Sequence, residues 1–342
     1  MTGAPRPLAL RCPSCDEPIA FDGGEAECPR GHAVDAVAGI VDLRGSELPG
    51  FDVAADRRLA AQLVARDDAS LEELLRLYWR GQPGVGPALV ERFVRGDLVA
   101  ERRAAEVVSQ VEELIGRRFT GTDRVLEVGA GTAALSAAVA PMVGHVVASD
   151  ISLAWLVLAR HRLRTAGIDR VTLVATTGDR LPFAACEFDA VLAADVIEHV
   201  PDPDALVAAC YRSLRPGGAM WLSTPNRLSL TPEPHVRVWG VGLLPRPLGR
   251  RLVRWLRGVP YDDVRTLSVF GLWRALASTG GRVRMTAPGI AAAVRAGYPP
   301  FSRRLIGVYE LARRTPVVRP LLLLITPLFH AVVVKPEDAA AR

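Results

Sequence analysis

The stretch VLEVGAGTAA, residues 125–134, decides the fold class. An apolar run leads into a glycine turn, and a helix-forming segment follows the turn. Gly129 and Gly131 allow a tight turn and a close approach of the backbone to a ligand, and the small Ala133 lets helix and strand pack closely. The stretch therefore predicts a strand, a ligand-binding loop and a helix. Alone it indicates little about function, because dinucleotide-dependent enzymes use a related loop.

Four more apolar runs follow and alternate with helical segments. These runs are HVVASD (145–150), VTLVAT (171–176), FDAVLAAD (188–195) and AMWLST (219–224). The βαβ rhythm predicts an α/β fold with a buried, mostly parallel sheet and helices on both faces. Segments 282–287 and 329–335 could complete seven strands. Insertions at 226–262 and 288–328 surround these last strands, and we expect them to set substrate specificity because insertions on a rigid scaffold usually do.

Carboxylates stand at or just after the ends of three predicted strands. Asp150 ends the second strand, 21 residues after Gly129, and a carboxylate there can accept both hydroxyls of a ribose. Asp179 follows the third strand, where it could meet an adenine amino group, and Asp195 ends the fourth. The carboxyl edge of the sheet is therefore the predicted ligand site.

The motifs EVGAG, GDRLPF, DVIEHVPDP and LRPGG stand in this order between about residues 120 and 225. As a set they resemble the class I S-adenosylmethionine-dependent methyltransferases, particularly the branch of quinone-biosynthesis methyltransferases. The resemblance implies a Rossmann-like seven-stranded sheet with a reversed final hairpin. It also implies S-adenosyl-L-methionine at the carboxyl ends of strands one to four, with Glu127 near its amino acid part, Asp150 at the ribose and Asp179 at the adenine. The predicted cofactor-binding residues are Glu127, Gly129, Gly131, Asp150, Asp179 and Asp195.

Two histidines are candidates for a catalytic base. Methyl transfer requires that the acceptor be positioned and, where necessary, lose a proton, and imidazole titrates near neutral pH. His199 follows the fourth strand, and His235 lies in the insertion after the fifth. The alternative is that both side chains only pack or satisfy loop backbone.

A divalent ion such as Mg²⁺ is a second catalytic alternative. In some relatives of the quinone branch, the positions of Asp195, Glu198 and His199 are implicated in binding such an ion. A bound ion could lower the pKa of a phenolic or catechol hydroxyl on the acceptor. Many relatives share the motif without any metal, so catalysis with and without metal both stay open.

The N-terminal residues carry a zinc-binding pattern. Cys12-Pro-Ser-Cys15 and Cys28-Pro-Arg-Gly-His32 form two knuckles. Their three thiolates and one imidazole can enclose Zn²⁺ tetrahedrally. A bound ion can then replace the hydrophobic core that ~35 residues cannot build. The pattern resembles a Trm112-like zinc ribbon, and a similar ribbon begins some bacterial ribosomal RNA guanine methyltransferases. We predict a structural zinc ribbon at 1–44, a helical linker or lid at 45–120 and the methyltransferase domain at 121–342.

The net charge of +5 is spread unevenly along the chain. Residues 235–319 contain 16 Arg against three acids. Such asymmetry indicates contact with something acidic, such as a phosphate, an anionic membrane surface or a nucleic acid. The alternative is the composition of a GC-rich genome, since Lys335 is the only lysine. Within this region PLGRRLVRWLRG (247–258) predicts a basic amphipathic helix, which suits peripheral membrane contact, phosphate binding or packing on its own domain.

These features together predict methyl transfer to a small molecule of apolar or anionic character. The predicted acceptor atom is an oxygen, and the predicted acceptor is a quinone, a lipid-like molecule or another secondary metabolite. The alternatives are an RNA base methyltransferase, which the ribbon and the basic segment favour, and a non-catalytic zinc-ribbon partner protein. Clustered cysteines without a signal peptide favour a cytoplasmic protein. No apolar run reaches the ~18 residues of a membrane span.

Overall fold

The computed structural model describes residues 8–21, 26–45, 47–82, 84–262, 264–290 and 299–338. The chain divides into two compact units. The first comprises Met1–Ala193, Ala205–Met220 and Lys335–Arg342, and the second comprises Ala194–Asp204 and Trp221–Val334. Residues 1–7 of the predicted ribbon and 291–298 of the predicted insertion lie outside the described residues.

The first unit is built on a mostly parallel sheet. The strands of the unit, in this sheet and in a smaller separate one, are β1 (Leu10–Arg11), β2 (Pro18–Phe21), β3 (Ala26–Glu27), β4 (Asp35–Val37), β5 (Ile40–Asp42), β6 (Arg124–Val128), β7 (His145–Asp150), β8 (Val171–Ala175), β9 (Phe188–Ala194) and the first part of β10 (Leu214–Pro225). The strand order is β10-β9-β6-β7-β8-β5-β4. Strand β6 lies parallel to β7 and β9, and β7 lies parallel to β8. Strands β1 to β3 form a separate small antiparallel sheet.

Helices cover this sheet and supply most of its core. They are α1 (Val53–Val64), α2 (Leu71–Arg80), α3 (Pro87–Ile115), α4 (Ala134–Val139), α5 (Leu153–Thr165) and α6 (Pro203–Ser213). Helix α2 begins with a capping box, because Ser70 and Glu73 satisfy each other's backbone amides. Apolar side chains of α1, α2, α3 and α5 pack with those of β7 and β8 in one buried cluster. The α/β class with a parallel sheet and helices on both faces is confirmed.

The second unit continues from the end of β10. It contains β11 (Arg282–Thr286), β12 (Leu328–Val334), α7 (Arg246–Arg257), α8 (Val269–Ala277), α9 (Pro300–Arg314) and α10 (Arg319–Ile325). Strands pair in the order β10-β12-β11, and β11 runs antiparallel to β12. The predicted reversed final hairpin is therefore present. A small cluster of Val238, Val241 and Val253 packs α7 against the preceding loop.

The end of the ribbon segment joins the sheet of the first unit. Strand β5 pairs in parallel with β8, with Val41 opposite Val174 and Asp42 opposite Ala175. Strand β4 then pairs antiparallel to β5 at the sheet edge. The predicted domain boundaries stay predictions, but residues 35–42 extend the sheet on which the cofactor-binding motifs lie.

Candidate functional site

The glycine loop joins β6 to α4 in the first unit. Gly129 and Gly131 have φ angles of 70° and 52°, in the left-handed region that favours glycine. Ala133, which begins α4, also has a positive φ of 54°. A Cβ atom built on Gly131 would meet nothing within 4 Å. The loop therefore leaves open space beside its backbone, as a loop that receives a ligand requires.

Asp150 holds this loop against the end of β7. One carboxylate oxygen accepts the amide of Gly131 at 2.8 Å, and the other accepts the amide of Ser152 at 2.8 Å. Burial raises the pKa of Asp150, although these two amides work in the opposite direction. Each carboxylate oxygen has a second lone pair, so the side chain can still accept the hydroxyls of a ribose.

Glu127 lies on β6, and its side chain accepts hydrogen bonds from the first turn of α4. Its carboxylate accepts the amide of Ser136 at 2.8 Å and also the Ser136 hydroxyl. Burial raises the pKa of Glu127 to about 7, and the charge of Asp150 adds to this rise. A buried carboxyl group near its titration point would be stabilised in the charged form by a cationic ligand.

The ribbon segment contacts the loop that carries Asp179. The amide of Arg11 donates to the carbonyl of Pro182 at 2.9 Å, and Leu10 forms an antiparallel bridge with Phe183. Asp179 itself is half-buried in the loop that follows β8. The first strand of the ribbon therefore supports the loop predicted to meet the adenine.

A buried charge network at Arg44 reaches the loop after β7. The guanidinium of Arg44 is fully buried and pairs with Asp42 at 2.8 Å and with Asp56 at 2.6 Å. It also donates to the carbonyl of Ile151 at 2.7 Å. Asp56 in turn accepts the Ser152 hydroxyl at 2.6 Å and backbone amides at the start of α5. Residues directly after Asp150 are therefore held by side chains from the ribbon end and from α1.

Sequence reasoning missed this network. The one available signal was two opposite charges, Asp42 and Arg44, inside the otherwise apolar run AGIVDLR at residues 38–44. A buried charge requires a partner, but nothing in the sequence indicates that the partner is Asp56.

The four predicted zinc ligands lie together. Sulfur and nitrogen atoms are separated by 3.7 Å for Cys12–His32, 3.6 Å for Cys15–Cys28 and 3.5 Å for Cys28–His32. Ligand atoms on a tetrahedral Zn²⁺ are separated by roughly 3.5–3.8 Å, given Zn–S and Zn–N bonds of about 2.3 and 2.0 Å. The donor set and its spacing fit a structural zinc ion.

A second group of titratable side chains lies wholly in the second unit. Glu198 is fully buried, and one carboxylate oxygen accepts the Thr224 hydroxyl at 2.9 Å. The other oxygen, Oε1, is buried and has no hydrogen-bond partner among the described residues. Burial and then the charge of Asp195 raise the pKa of Glu198 to about 7.

The two candidate bases lie beside Glu198. The imidazole rings of His199 and His235 are 5.0 Å apart and nearly perpendicular. Nδ1 of His235 is 2.6 Å from a carboxylate oxygen of the buried Glu233. Burial lowers the pKa of His235, but the hydrogen bond and charge of Glu233 outweigh it, so that the pKa is raised. A carboxylate that holds Nδ1–H leaves Nε2 of the ring as the atom that can accept a proton.

The predicted Mg²⁺ trio is corrected by this arrangement. The ligand atoms that lie within 4.8 Å of one another belong to Glu198, His199 and His235, and Asp195 is outside the group. Asp195 instead accepts the Ser223 hydroxyl at 2.9 Å. Because Mg²⁺ prefers oxygen ligands and imidazole suits transition metals, one carboxylate and two imidazoles do not fit Mg²⁺.

A family model and the relatives found by sequence comparison agree that the chain is similar to methyltransferases. A family model described as "Methyltransferase domain" matches residues 126–222. A ubiquinone biosynthesis O-methyltransferase of Xanthomonas axonopodis pv. citri is 32% identical over 177 residues, which are 47% of this chain and 72% of that protein. The enzyme of the same name from Xanthomonas euvesicatoria pv. vesicatoria is 31% identical over 195 residues, 53% of this chain and 77% of that protein.

Among solved structures, an S-adenosylmethionine-dependent methyltransferase from Mesorhizobium loti is 20% identical. The match covers 69% of this chain and 98% of that chain, with a TM-score of 0.46.

Proposed function

The chain belongs to the S-adenosylmethionine-dependent methyltransferases, and within this family we propose that it methylates a hydroxyl oxygen of a small aromatic or lipid-like molecule, with His235 as the base. The observation that carries the proposal is the hydrogen bond between Glu233 and His235 at 2.6 Å, beside His199 and the buried Glu198. The names of the curated relatives, which are quinone-pathway O-methyltransferases, support oxygen as the acceptor atom. These relatives do not favour the RNA-base or the non-catalytic alternative.

Residues of the first unit fit the cofactor. The cofactor supplies a methyl group on a positively charged sulfur, which is already activated for transfer. We propose that the loop at Gly129 and Gly131 receives it and that Asp150 binds the ribose hydroxyls. Asp179 is assigned to the adenine, and Glu127 to the cationic amino acid part. The buried carboxylates of Glu127 and Asp150 favour a cationic ligand.

Residues of the second unit are assigned to the acceptor. Glu233 fixes the ring of His235 and raises the pKa of that ring. In our proposal, Nε2 of His235 takes the proton of the acceptor hydroxyl, so that the oxygen can form its bond to the methyl carbon. His199 lies against the same ring and positions it. Base catalysis of this kind contributes roughly 10²–10⁴-fold.

We propose that the ribbon binds one structural Zn²⁺ through Cys12, Cys15, Cys28 and His32. All four positions of a tetrahedral ion are then filled by protein, so the ion has no open position for substrate. Its assigned role is to hold the strand β1 that contacts Pro182 and the segment that leads to Arg44.

We also propose that the second unit contacts an anionic membrane surface. Helix α7 exposes 80% of Trp255, and α9 exposes Leu305, Val308 and Leu311 along one side. Arg251, Arg254, Arg303, Arg304 and Arg314 lie among these apolar residues. Exposed apolar stripes bordered by arginine are typical of helices that lie in the interface of anionic lipids. No described helix is long and apolar enough to cross a membrane.

The main proposal is tested by methyl transfer to a catechol acceptor over a range of pH. Because the neutral ring is the base, the rate should rise with pH through the pKa of His235, which lies above 6.5. Glu233→Gln removes the group that raises this pKa, so the rise should move to lower pH. His235→Asn should lower kcat by about 10²-fold or more.

His145→Asn, a substitution in strand β7 of the first unit, serves as the control and should leave the pH profile of transfer in place. Transfer that keeps its wild-type pH profile in both Glu233→Gln and His235→Asn would contradict the assignment of the base. Binding of S-adenosylhomocysteine by each variant confirms that the cofactor unit is intact.

A further inference from the structure

An arginine-lined cavity lies in the second unit at the beginning of α7. It is a cleft that is open to solvent. Four guanidinium groups from three segments of the chain line it, together with the carboxylate of Asp262. The four residues are Arg227, Arg246, Arg250 and Arg265. Such a concentration of positive charge in one cavity needs a chemical explanation.

Internal partners compensate only part of this charge. Arg250 forms a salt bridge with Asp262 at 3.0 Å. Arg227 donates to the carbonyls of Gly242 and Leu244, and Arg265 donates to the carbonyl of Pro201. Carbonyl groups satisfy donors but carry no net negative charge, and neither Arg227 nor Arg265 forms a salt bridge with a residue that the structure describes.

Arg246 is the group most available to a ligand. It makes no hydrogen bond or salt bridge with any residue that the structure describes. Partial burial lowers the pKa of Arg246, and the positive charges of Arg265, Arg227 and Arg250 lower it further. The arginines are therefore close enough to repel one another, and a bound anion would relieve this repulsion. Arg246 is also the first residue of α7, where the helix dipole favours an anion.

The cavity is linked to the proposed catalytic group by direct contacts. The amide of Arg265 donates to the carbonyl of Glu198 at 2.7 Å. Tyr261 also lines the cavity, and burial and then the nearby charge of Glu233, the residue that holds His235, raise the pKa of Tyr261. A molecule anchored in the cavity could therefore extend to the histidines without leaving the second unit.

We propose that this cavity binds a phosphate or diphosphate group of the methyl acceptor. The inference rests on the proposed function and deepens it, because it makes the acceptor a phosphorylated small molecule. One carboxylate would be satisfied by one or two guanidinium groups. Three uncompensated guanidinium groups suit the higher charge and the several oxygens of a phosphate or diphosphate.

Calorimetric titration of the full chain with inorganic pyrophosphate tests the proposal. Wild type should bind pyrophosphate more tightly than sulfate or benzoate at equal ionic strength. Arg246→Gln should weaken pyrophosphate binding about tenfold or more, because a hydrogen bond to a charged group is lost. Arg251→Gln removes the same charge from an exposed position of α7 that does not line the cavity, and should change binding by less than about twofold.

Equal loss in the Arg246 and Arg251 variants would overturn the proposal, since it would indicate only general attraction to a basic surface. Tighter binding of benzoate than of pyrophosphate would overturn it in favour of a carboxylate. Binding of S-adenosylhomocysteine should be the same in both variants. Because pyrophosphate binding requires no methyl transfer, failure of this inference can be distinguished from failure of the proposed reaction.

Discussion

Two groups of buried carboxylates, one in each unit, differ in how completely their oxygens are satisfied. In the first unit the buried carboxylates of Asp42, Asp56 and Asp150 have partners on both oxygens. In the second unit Oε1 of the buried Glu198 has no partner among the described residues, and Arg246 has none either. The carboxylate network around Asp150 is therefore complete within the first unit, whereas the group at Glu198 leaves an oxygen for a ligand to satisfy.

The same contrast appears in the exposure of large apolar side chains. Among the described residues of the first unit, only Leu89, Leu98, Val99 and Ile151 are substantially exposed, at 37–38%. The second unit exposes sixteen such residues, with values up to 81% for Val317. The difference agrees with the roles proposed above, in which the first unit binds the cofactor and the second binds the acceptor and contacts a membrane surface.

Removal of Arg44 tests whether the closed network of the first unit carries its stability. Arg44→Gln removes the buried cation that pairs with both Asp42 and Asp56 and leaves Asp42 only its pair with Arg57; it should lower the free energy of unfolding by about 3–5 kcal/mol. The matched variant Arg57→Gln removes a 36% exposed partner of the same Asp42 and should cost about 0–1 kcal/mol. Chemical denaturation of the zinc-loaded protein measures both.

Chelation of zinc should act in the same direction as Arg44→Gln, because the ribbon leads into the Arg44 segment. Similar stabilities for the two arginine variants would contradict the network as a stabilising element of the first unit.

Removal of Asp150 tests whether the network also serves the cofactor. Asp150→Ala removes the acceptor of the Gly131 amide and the assigned partner of the ribose. It should weaken binding of S-adenosylhomocysteine about 100-fold, as expected for loss of hydrogen bonds to a charged group. Calorimetric titration measures this change. Asp169→Ala, at an exposed position before β8, is the control and should bind S-adenosylhomocysteine as wild type does. If the Asp150 variant bound it with wild-type affinity, the assignment of Asp150 to the ribose would be wrong.

Replacement of exposed apolar residues tests the open face of the second unit. Trp255→Ser should reduce partitioning to phosphatidylglycerol vesicles severalfold, because burial of an aromatic side chain in the interface is lost. Val99→Ser, on α3 of the first unit, should leave partitioning unchanged. Vesicle flotation measures the effect. If the wild-type protein bound phosphatidylglycerol and phosphatidylcholine vesicles equally, the proposed contact of the second unit with an anionic membrane would be contradicted.

Much of the fold was predictable because its signals are local. The glycine loop at Gly129 and Gly131 and the alternation of apolar runs with helices each depend on residues close together in the chain. Their spacing follows from backbone geometry. The zinc-ligand group was predictable for the same reason, since Cys12, Cys15, Cys28 and His32 form two short knuckles and the structure places them together. The roles assigned to individual cofactor residues stay predictions.

The catalytic group was predictable only in part. Both histidines were identified, His199 after the fourth strand and His235 in the insertion after the fifth, but only His199 was grouped with Glu198, together with Asp195. The structure instead brings His235 from the insertion to Glu198 and His199. Helix α6, strand β10 and the loop after β10 separate His199 from His235 in the chain, and no sequence pattern specifies how such a distant loop returns to Glu198.

By itself the sequence determined the strand–loop–helix motif, the parallel sheet and the zinc knuckles, because periodicity and short spacings encode them directly. Only the tertiary structure decided that Arg44 is buried between Asp42 and Asp56, that Glu233 holds His235, and that four arginines line one cavity. The physical reason is that a charged side chain shows in the sequence only what it can bind. Which partner it finds depends on how distant segments pack.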